Sequence, residues 1–409
     1  MDFQITEEHR RIQSRCLELA EDFASRSAIH DREASHPIEN YERLRDEDFL
    51  ALNVPPKWGG AGIGLLGHTL AFEALGRGCP ATALAFNMHA SVVGPLLCSA
   101  EVSEEVKHRL AELVVRDRKM IAGNFSEAST TSLIGERPLA TRAHRVNGGY
   151  RVSGRKMFAS MLEAADYCAV LAYPESAVSP TAALMLLVPR EVEGRRVEPN
   201  WDVLGMRATR SDSLILEECY LPDSAAVYRT DDIRPFRRDQ ANWFWASYTA
   251  VYLGVAGAAY DELIKVVKGR RPEGYEQSLA YHPDVRRHVA EMSAELEAAR
   301  LITYRSAWLS ERNGATDETM AALFRAKYVV GETVSRITRQ ALTLGGAHAI
   351  FTGSRLEQLF RDGALGPIQP PSTDFCLHNM GLFELGLPPE ELMPPLKPDD
   401  LGPGQRTPI

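Results

Sequence analysis

The stretch Gly148–Ser160, GGYRVSGRKMFAS, decides the fold class. It opens on Asn147-Gly148, a dipeptide suited to the left-handed turn of a two-residue hairpin. Three more short runs follow: YCAVLAY (Tyr167–Tyr173), AALMLLVP (Ala182–Pro189) and SLILEECYLP (Ser213–Pro222). Each is rich in β-branched, aromatic or aliphatic residues and bounded by turn formers. The pattern predicts an antiparallel β domain over residues 120–235.

On both sides the period becomes helical. Leu17, Leu19, Ala20 and Phe23, then Leu70, Ala71 and Leu75, recur at helical spacing and predict a helical domain over 1–119. The segment VPPKWGGAGIG (Val54–Gly64) interrupts it with proline and glycine. It is not a dinucleotide fingerprint, and is read as a turn that lets two helices meet closely. After Asp239, helical segments are expected at Trp243–Val267, Pro283–Asn313, Asp317–Leu344 and Ser354–Phe360, which suit a four-helix bundle over 236–386. Residues 387–409, rich in proline and acid, read as an extended arm. The class is therefore α+β, mainly α, in the order helices, β, helices.

Composition narrows the function. The 409 residues are 44% hydrophobic and 25% charged, with net charge −9. That balance opposes a nucleic-acid partner, which calls for clustered basic residues. The polar N-terminus lacks the layout of a signal peptide. The longest apolar run, around Ala183–Leu187, is strand-sized, so no membrane span is expected and the chain reads as cytoplasmic. The six cysteines are scattered without metal-site spacing, so they read as reduced, mostly buried residues and no metal is expected.

Several motifs, in order and spacing, resemble the acyl-CoA dehydrogenase superfamily across nearly the whole chain. They are WGGAGIG (Trp58–Gly64), ALGRGCPATALAFNMHAS (Ala74–Ser91), IAGNFSEASTTS (Ile121–Ser132), the Gly148–Ser160 hairpin, LGMRATRSDSLILEECYLP (Leu204–Pro222), LGGAHAIF (Leu344–Phe351) and LFRD (Leu359–Asp362). The resemblance implies an FAD-dependent oxidoreductase. It carries over Phe125 and Ser126 as residues lining the flavin ring, Ser132 as the phosphate-side hydroxyl, Phe158 as an aromatic wall and Ser160 as the hydroxyl facing flavin N5. It also carries over Arg270 as a ligand of a neighbouring subunit's pyrophosphate, Gly345 and Gly346 as a close-approach turn, and Ser372 as the hydroxyl following the catalytic glutamate. A homo-oligomer, dimer or tetramer, is implied. Each residue also has an ordinary reading: Phe158 as a core aromatic, Ser160 as a strand hydroxyl, Arg270 as a solvated helix end.

The chain departs from the pattern at four places. Ala128 replaces a proline and Thr130-Thr131 replace small residues in the flavin segment. Glu273 stands where a phenylalanine is usual. The glycine turn ends in His348, a residue able to donate to phosphate or adenine, or to cap a helix or hairpin. The glutamate expected to remove the α-proton of a thioester is Pro370, and an alternative base position is Phe244. A positioned base contributes about 10²–10⁴-fold. Asp374, His89 and Asp239 remain as candidates, with helix capping an equal reading of Asp374 and core packing the ordinary reading of His89. Three functions follow. The first is α,β-desaturation of an acyl thioester on CoA or a carrier protein, with electrons leaving to an electron-transfer flavoprotein. The second is a flavin-dependent monooxygenase fed by a separate flavin reductase, and the third a catalytically silent binding protein.

Overall fold

A computed structural model of the chain describes residues 4–128 and 138–387. Ser132 and the arm beyond Leu387 lie outside them. The first five helices are α1 (Glu7–Glu33), α2 (Ile38–Asp46), α3 (Gly64–Gly78), α4 (Pro80–Cys98) and α5 (Glu104–Ala111). Thr6 caps α1 by accepting from the His9 amide at 3.2 Å, and the His9 ring accepts from the Thr6 amide in return. The Val54–Gly64 segment leads from α2 into α3. It folds back on its own approach, with Ala61 and Ile63 amides donating to the Ala51 and Leu52 carbonyls. Close helix contact occurs at its end, where a side chain on Gly64 would fall 2.4 Å from Glu311 Oε2 of the helix over Pro283–Asn313, and also at Gly78, 2.0 Å from the Ala20 carbonyl, and Gly254, 2.3 Å from the Glu73 carbonyl.

Helix α4 corrects the expectation of no span-length apolar run. Its 19 residues are apolar and long enough to cross a membrane by composition alone, yet 94% of that window is buried inside the protein. It is a core helix, apolar on every side because it is covered on every side.

Eight strands are described: β1 (Ile121–Gly123), β2 (Arg142–Val146), β3 (Gly149–Lys156), β4 (Tyr167–Pro174), β5 (Ala183–Pro189), β6 (Arg195–Glu198), β7 (Ser213–Pro222) and β8 (Ala226–Thr230). Their order is β6-β7-β3-β2-β4-β5-β8, with β1 also on β4. The hairpin forms as read, Val146 opposite Gly149 around Gly148 at φ 73°. The sheet is mixed rather than wholly antiparallel. β1 and β2 both lie parallel to β4, at Tyr167–Ala169 and Tyr173–Pro174.

The second helical region holds α6 (Arg234–Gly269), α7 (Pro283–Asn313), α8 (Asp317–Gly345), α9 (Arg355–Gly363) and α10 (Thr373–Leu385). Helix α6 begins nine residues before the expected Trp243, with Pro235 in its first turn, where a missing amide hydrogen costs nothing. It packs against α3, α4, α7, α8 and α9 and so ties the two helical regions together. Of the six cysteines, which are all free, five are buried and Cys98 is exposed.

Candidate active site

Two segments of the β domain come together at its helical side. The Met157 amide donates to the Ser126 carbonyl at 2.9 Å, and Asn124 Nδ2 donates to the Ser160 carbonyl at 3.2 Å. Phe125 and Ser126 are thereby held beside Phe158 and Ser160. Beneath them is a buried ion pair. Lys156 Nζ lies 2.6 Å from Glu127 Oε1 and 2.6 Å from the Leu171 carbonyl, and Glu127 also accepts from the Ala140 and Thr141 amides. Neither side chain of the pair is more than 1% exposed. Burial alone would push Glu127 up, but the Lys156 ammonium and the amide donors hold it down to about 2. Burial draws Lys156 down to about 8, with Glu127 opposing it. The fall of Glu127 favours its charged form and the fall of Lys156 opposes its own, yet about 2 and about 8 lie on either side of neutral pH and leave the pair ionised.

Leaving β3, the chain turns through Phe158 and Met161, both at positive φ. This presents the Phe158 ring outward, 63% exposed and edge-on to Trp201 at 6.1 Å. Ser160 turns inward and is 8% exposed. Its hydroxyl lies 2.7 Å from that of Ser211, which donates to Thr209 Oγ1 at 2.9 Å; Thr209 in turn donates to the Met206 carbonyl at 2.9 Å. The surface offers a flat aromatic face and an adjoining hydroxyl. A planar heteroaromatic ring with a polar edge fits this pairing.

Phe125 links that surface to the helices. Its ring meets Phe244 edge-on at 6.0 Å, and Phe244 lies 6.2 Å from Tyr248, whose hydroxyl reaches the Met88 thioether at 4.0 Å. Asn87 donates to the Phe244 carbonyl and accepts from Ser91. This wall is apolar at Phe244; Pro370, in the loop after α9, is exposed.

The three proton-carrying candidates do not converge on the wall. His89 is fully buried. Its Nε2 donates to the Leu50 carbonyl at 2.9 Å and its Nδ1 accepts from the Ile121 amide at 3.0 Å. Burial pushes it down to about 4, so the ring is neutral and both nitrogens are engaged in tying α4 to β1. Asp374 is exposed in the first turn of α10, whose cap is Ser372, accepting from the Phe375 amide at 3.3 Å. The helix is thus capped two residues earlier than Asp374, by a hydroxyl that the resemblance assigned to the cofactor. Asp239 is exposed on α6, its carboxyl raised by partial burial and by Glu101.

Arg270, Gly345 and Gly346 form a second grouping. Arg270 donates to the Gly345 carbonyl at 3.1 Å, closing the C-terminus of α8, and a side chain on Gly346 would meet the guanidinium at 2.7 Å. His348 is exposed beside Phe351, with ring centroids 6.5 Å apart.

The acyl-CoA dehydrogenase N-terminal, middle and C-terminal domains match residues 6–116, 125–219 and 240–368. A putative acyl-CoA dehydrogenase of Bacillus subtilis, YdbM, is 30% identical over 363 residues, covering 88% of this chain and 93% of that protein. The chain belongs to the acyl-CoA dehydrogenase family. Two solved structures share the fold. Butyryl-CoA dehydrogenase from Megasphaera elsdenii superposes with TM-score 0.82 at 20% identity, over 94% of this chain and all of that one. Dibenzothiophene monooxygenase TdsC from Paenibacillus sp. A11-2 also superposes with TM-score 0.82 at 20% identity, over 92% and 97%.

Acyl-CoA dehydrogenases are flavin oxidoreductases, and this chain is an enzyme of that kind. Three elements of its site were not singled out in the sequence: the Glu127–Lys156 pair, the Ser211–Thr209 hydroxyls and Tyr248. The first two lie inside quoted motifs. Their partners are 29 and 51 positions away, so only the fold brings them together.

Proposed function

We propose that the chain binds FAD between Phe158, Ser160 and the Phe125–Ser126 segment, and oxidises an acyl thioester, on CoA or a carrier protein, between Cα and Cβ. The observation that carries this reading is the exposed Phe158 ring beside the buried Ser160 hydroxyl, joined through Phe125 to the Phe244–Tyr248 wall. Bound flavin would supply the two-electron acceptor. Phe158 would lie along the ring, Ser160 would meet its N5 edge, and Phe125 and Ser126 would line the pyrimidine side. Phe244 and Tyr248 would exclude water and face the acyl chain. Arg270, beside Gly345 and Gly346, would meet the pyrophosphate of a neighbouring subunit in a dimer or tetramer, as a guanidinium suits it. Electrons would leave to an electron-transfer flavoprotein.

A second reading, a flavin-dependent monooxygenase supplied by a reductase, is favoured by one specific observation. The two positions where the resemblance expects a base hold Phe244 and Pro370, neither of which can take a proton. One spectrum separates the readings. Purified protein with FAD is titrated anaerobically with a panel of acyl-CoAs. Bleaching of the oxidised flavin band is expected; a band that persists with every thioester, yet reoxidises rapidly in oxygen after chemical reduction, would replace the first reading by the second.

A further inference from the structure

A hydroxyl carries a single proton to donate, whereas a carbonyl oxygen carries none. The Met206 carbonyl can only accept, so Thr209, 2.9 Å away, donates to it. That commits the Thr209 proton. Ser211, 2.9 Å from Thr209 Oγ1, must then donate to it, and Ser160, 2.7 Å from Ser211, must donate in turn. One arrangement alone satisfies all three contacts. Thr209 is 0% and Ser211 6% exposed, so water does not readily replace a lost partner. The anchor itself is held in place. The Met206 amide donates to Asp362 Oδ1 at 2.6 Å, and Trp201, packed on Phe158, donates to the Met206 carbonyl at 3.3 Å. The Ser160 proton therefore points into the protein, and the face it turns outward is a lone pair.

We propose that Thr209 and Ser211 are positioning residues that make Ser160 a hydrogen-bond acceptor toward the flavin edge, and so raise the reduction potential of the bound flavin. The proposal rests on the flavin reading above. The oxidised ring has a bare nitrogen at N5 and asks for a donor; the reduced ring carries a proton there and asks for an acceptor. A chain of hydroxyls polarised inward matches the reduced form. Serving the oxidised form would break one of the three contacts: Ser160–Ser211 if Ser160 alone turns outward, or Thr209–Met206 if all three hydroxyls reverse.

The test is the midpoint potential of the FAD-loaded full-length protein, measured by dye-coupled reductive titration. Thr209→Val removes the anchor at nearly the same shape. Ser211 then turns its proton toward Ser160, which is freed to donate outward. The reduction equilibrium should shift about tenfold toward the oxidised form, the size of one modest hydrogen bond, or roughly 30 mV lower for a two-electron couple. Thr209→Ser keeps the hydroxyl and should return the wild-type potential, which a purely structural role would not predict. If Thr209→Val does not fold, Ser211→Ala removes the inward acceptor of Ser160 and should lower the potential likewise. A variant that holds FAD with unchanged or higher potential overturns the polarity and leaves the flavin reading intact. A wild-type protein that takes up no FAD overturns the flavin reading and this inference together.

Discussion

The β side and the helical side of the candidate site are built on opposite plans. The β side is polar and over-determined: two segments are locked by backbone hydrogen bonds, a buried ion pair and a chain of three hydroxyls. The helical side is aromatic at Phe244, and the resemblance expects a base where the chain has Phe244 and Pro370. The surface that would meet the cofactor keeps Phe125, Ser126, Phe158 and Ser160 where the resemblance expects them, while the surface that would meet the substrate lacks the base the resemblance expects. A scaffold can keep its redox group and change what is presented to it, so membership of the family defines the first far better than the second.

The largest effect should come from the pair beneath the β side. Lys156→Met takes from the buried Glu127 carboxylate the ammonium that hydrogen-bonds it and leaves the Arg237 guanidinium as a nearby cation, and removing one partner of a buried pair costs about 3–5 kcal/mol. Chemical denaturation should show this loss, and FAD should no longer be retained, because Glu127 and Lys156 belong to the two segments that carry Phe125 and Phe158. The pair also sets an acid limit. Glu127 is held down to about 2, below its ordinary 4.5, so its contribution is present above 4.5 and declines as pH falls from there toward 2. In Lys156→Met that dependence should largely vanish. A variant with wild-type stability would mean that the β side is not held by this pair.

The next test restores what the helical side lacks. Pro370→Glu places a carboxylate at the position where the resemblance expects the base. Pro370 is exposed, so the fold should tolerate the change. Anaerobic bleaching by a matching acyl-CoA should accelerate by about 10²-fold, the lower end of what a general base contributes and about 2.7 kcal/mol of barrier. No acceleration, in a protein that still binds FAD, would argue that this wall does not face a thioester α-carbon and would favour the oxygenase reading.

The same contrast explains what was legible beforehand. The hairpin at Asn147-Gly148 is a local signal, read from two residues, and so are the long helices from Pro283 and Asp317. The start of α6 is not: RPFRRDQAN is mostly polar, and those residues are helical because Phe236, Gln240 and Asn242 are buried by tertiary packing. The parallel pairing of β1 and β2 with β4 is set by the partner strand, which no local pattern names. Helix α4 reads as a helix but not as a span-length apolar one, because Thr82, Asn87, His89 and Ser91 break its apolar residues into short runs. In the site, Phe158 and Ser160 were legible through their motif. Core packing is the ordinary reading of His89, but its partners Leu50 and Ile121, and the capping of α10 by Ser372, depend on neighbours that only the folded chain supplies.

Phe158 gives a smaller effect that separates binding from folding. Its ring is largely exposed, so Phe158→Ala should change stability by no more than about 0.5 kcal/mol. If the ring lies against flavin, the same change should weaken FAD binding by about 1 kcal/mol, several-fold in Kd, as a lost aromatic contact does. Fluorescence titration with FAD reads this directly. Equal affinity in the two proteins would move the cofactor away from Phe158 and remove the observation on which the polar side was assigned.

The smallest expected effect is the sharpest on the helical side. Asp374 is the acid nearest in sequence to Pro370, and an enzyme that desaturates thioesters without the usual glutamate has to find its base somewhere. Asp374, however, lies exposed in the first turn of α10, where a carboxylate interacts favourably with the helix terminus, and Ser372 already caps that turn. Asp374→Asn should therefore cost about 0.5 kcal/mol of stability or less and leave turnover within twofold of wild type. A fall of 10²-fold or more, with FAD affinity and stability unchanged, would make Asp374 the base, and the helical side would then carry the proton chemistry that Phe244 and Pro370 cannot.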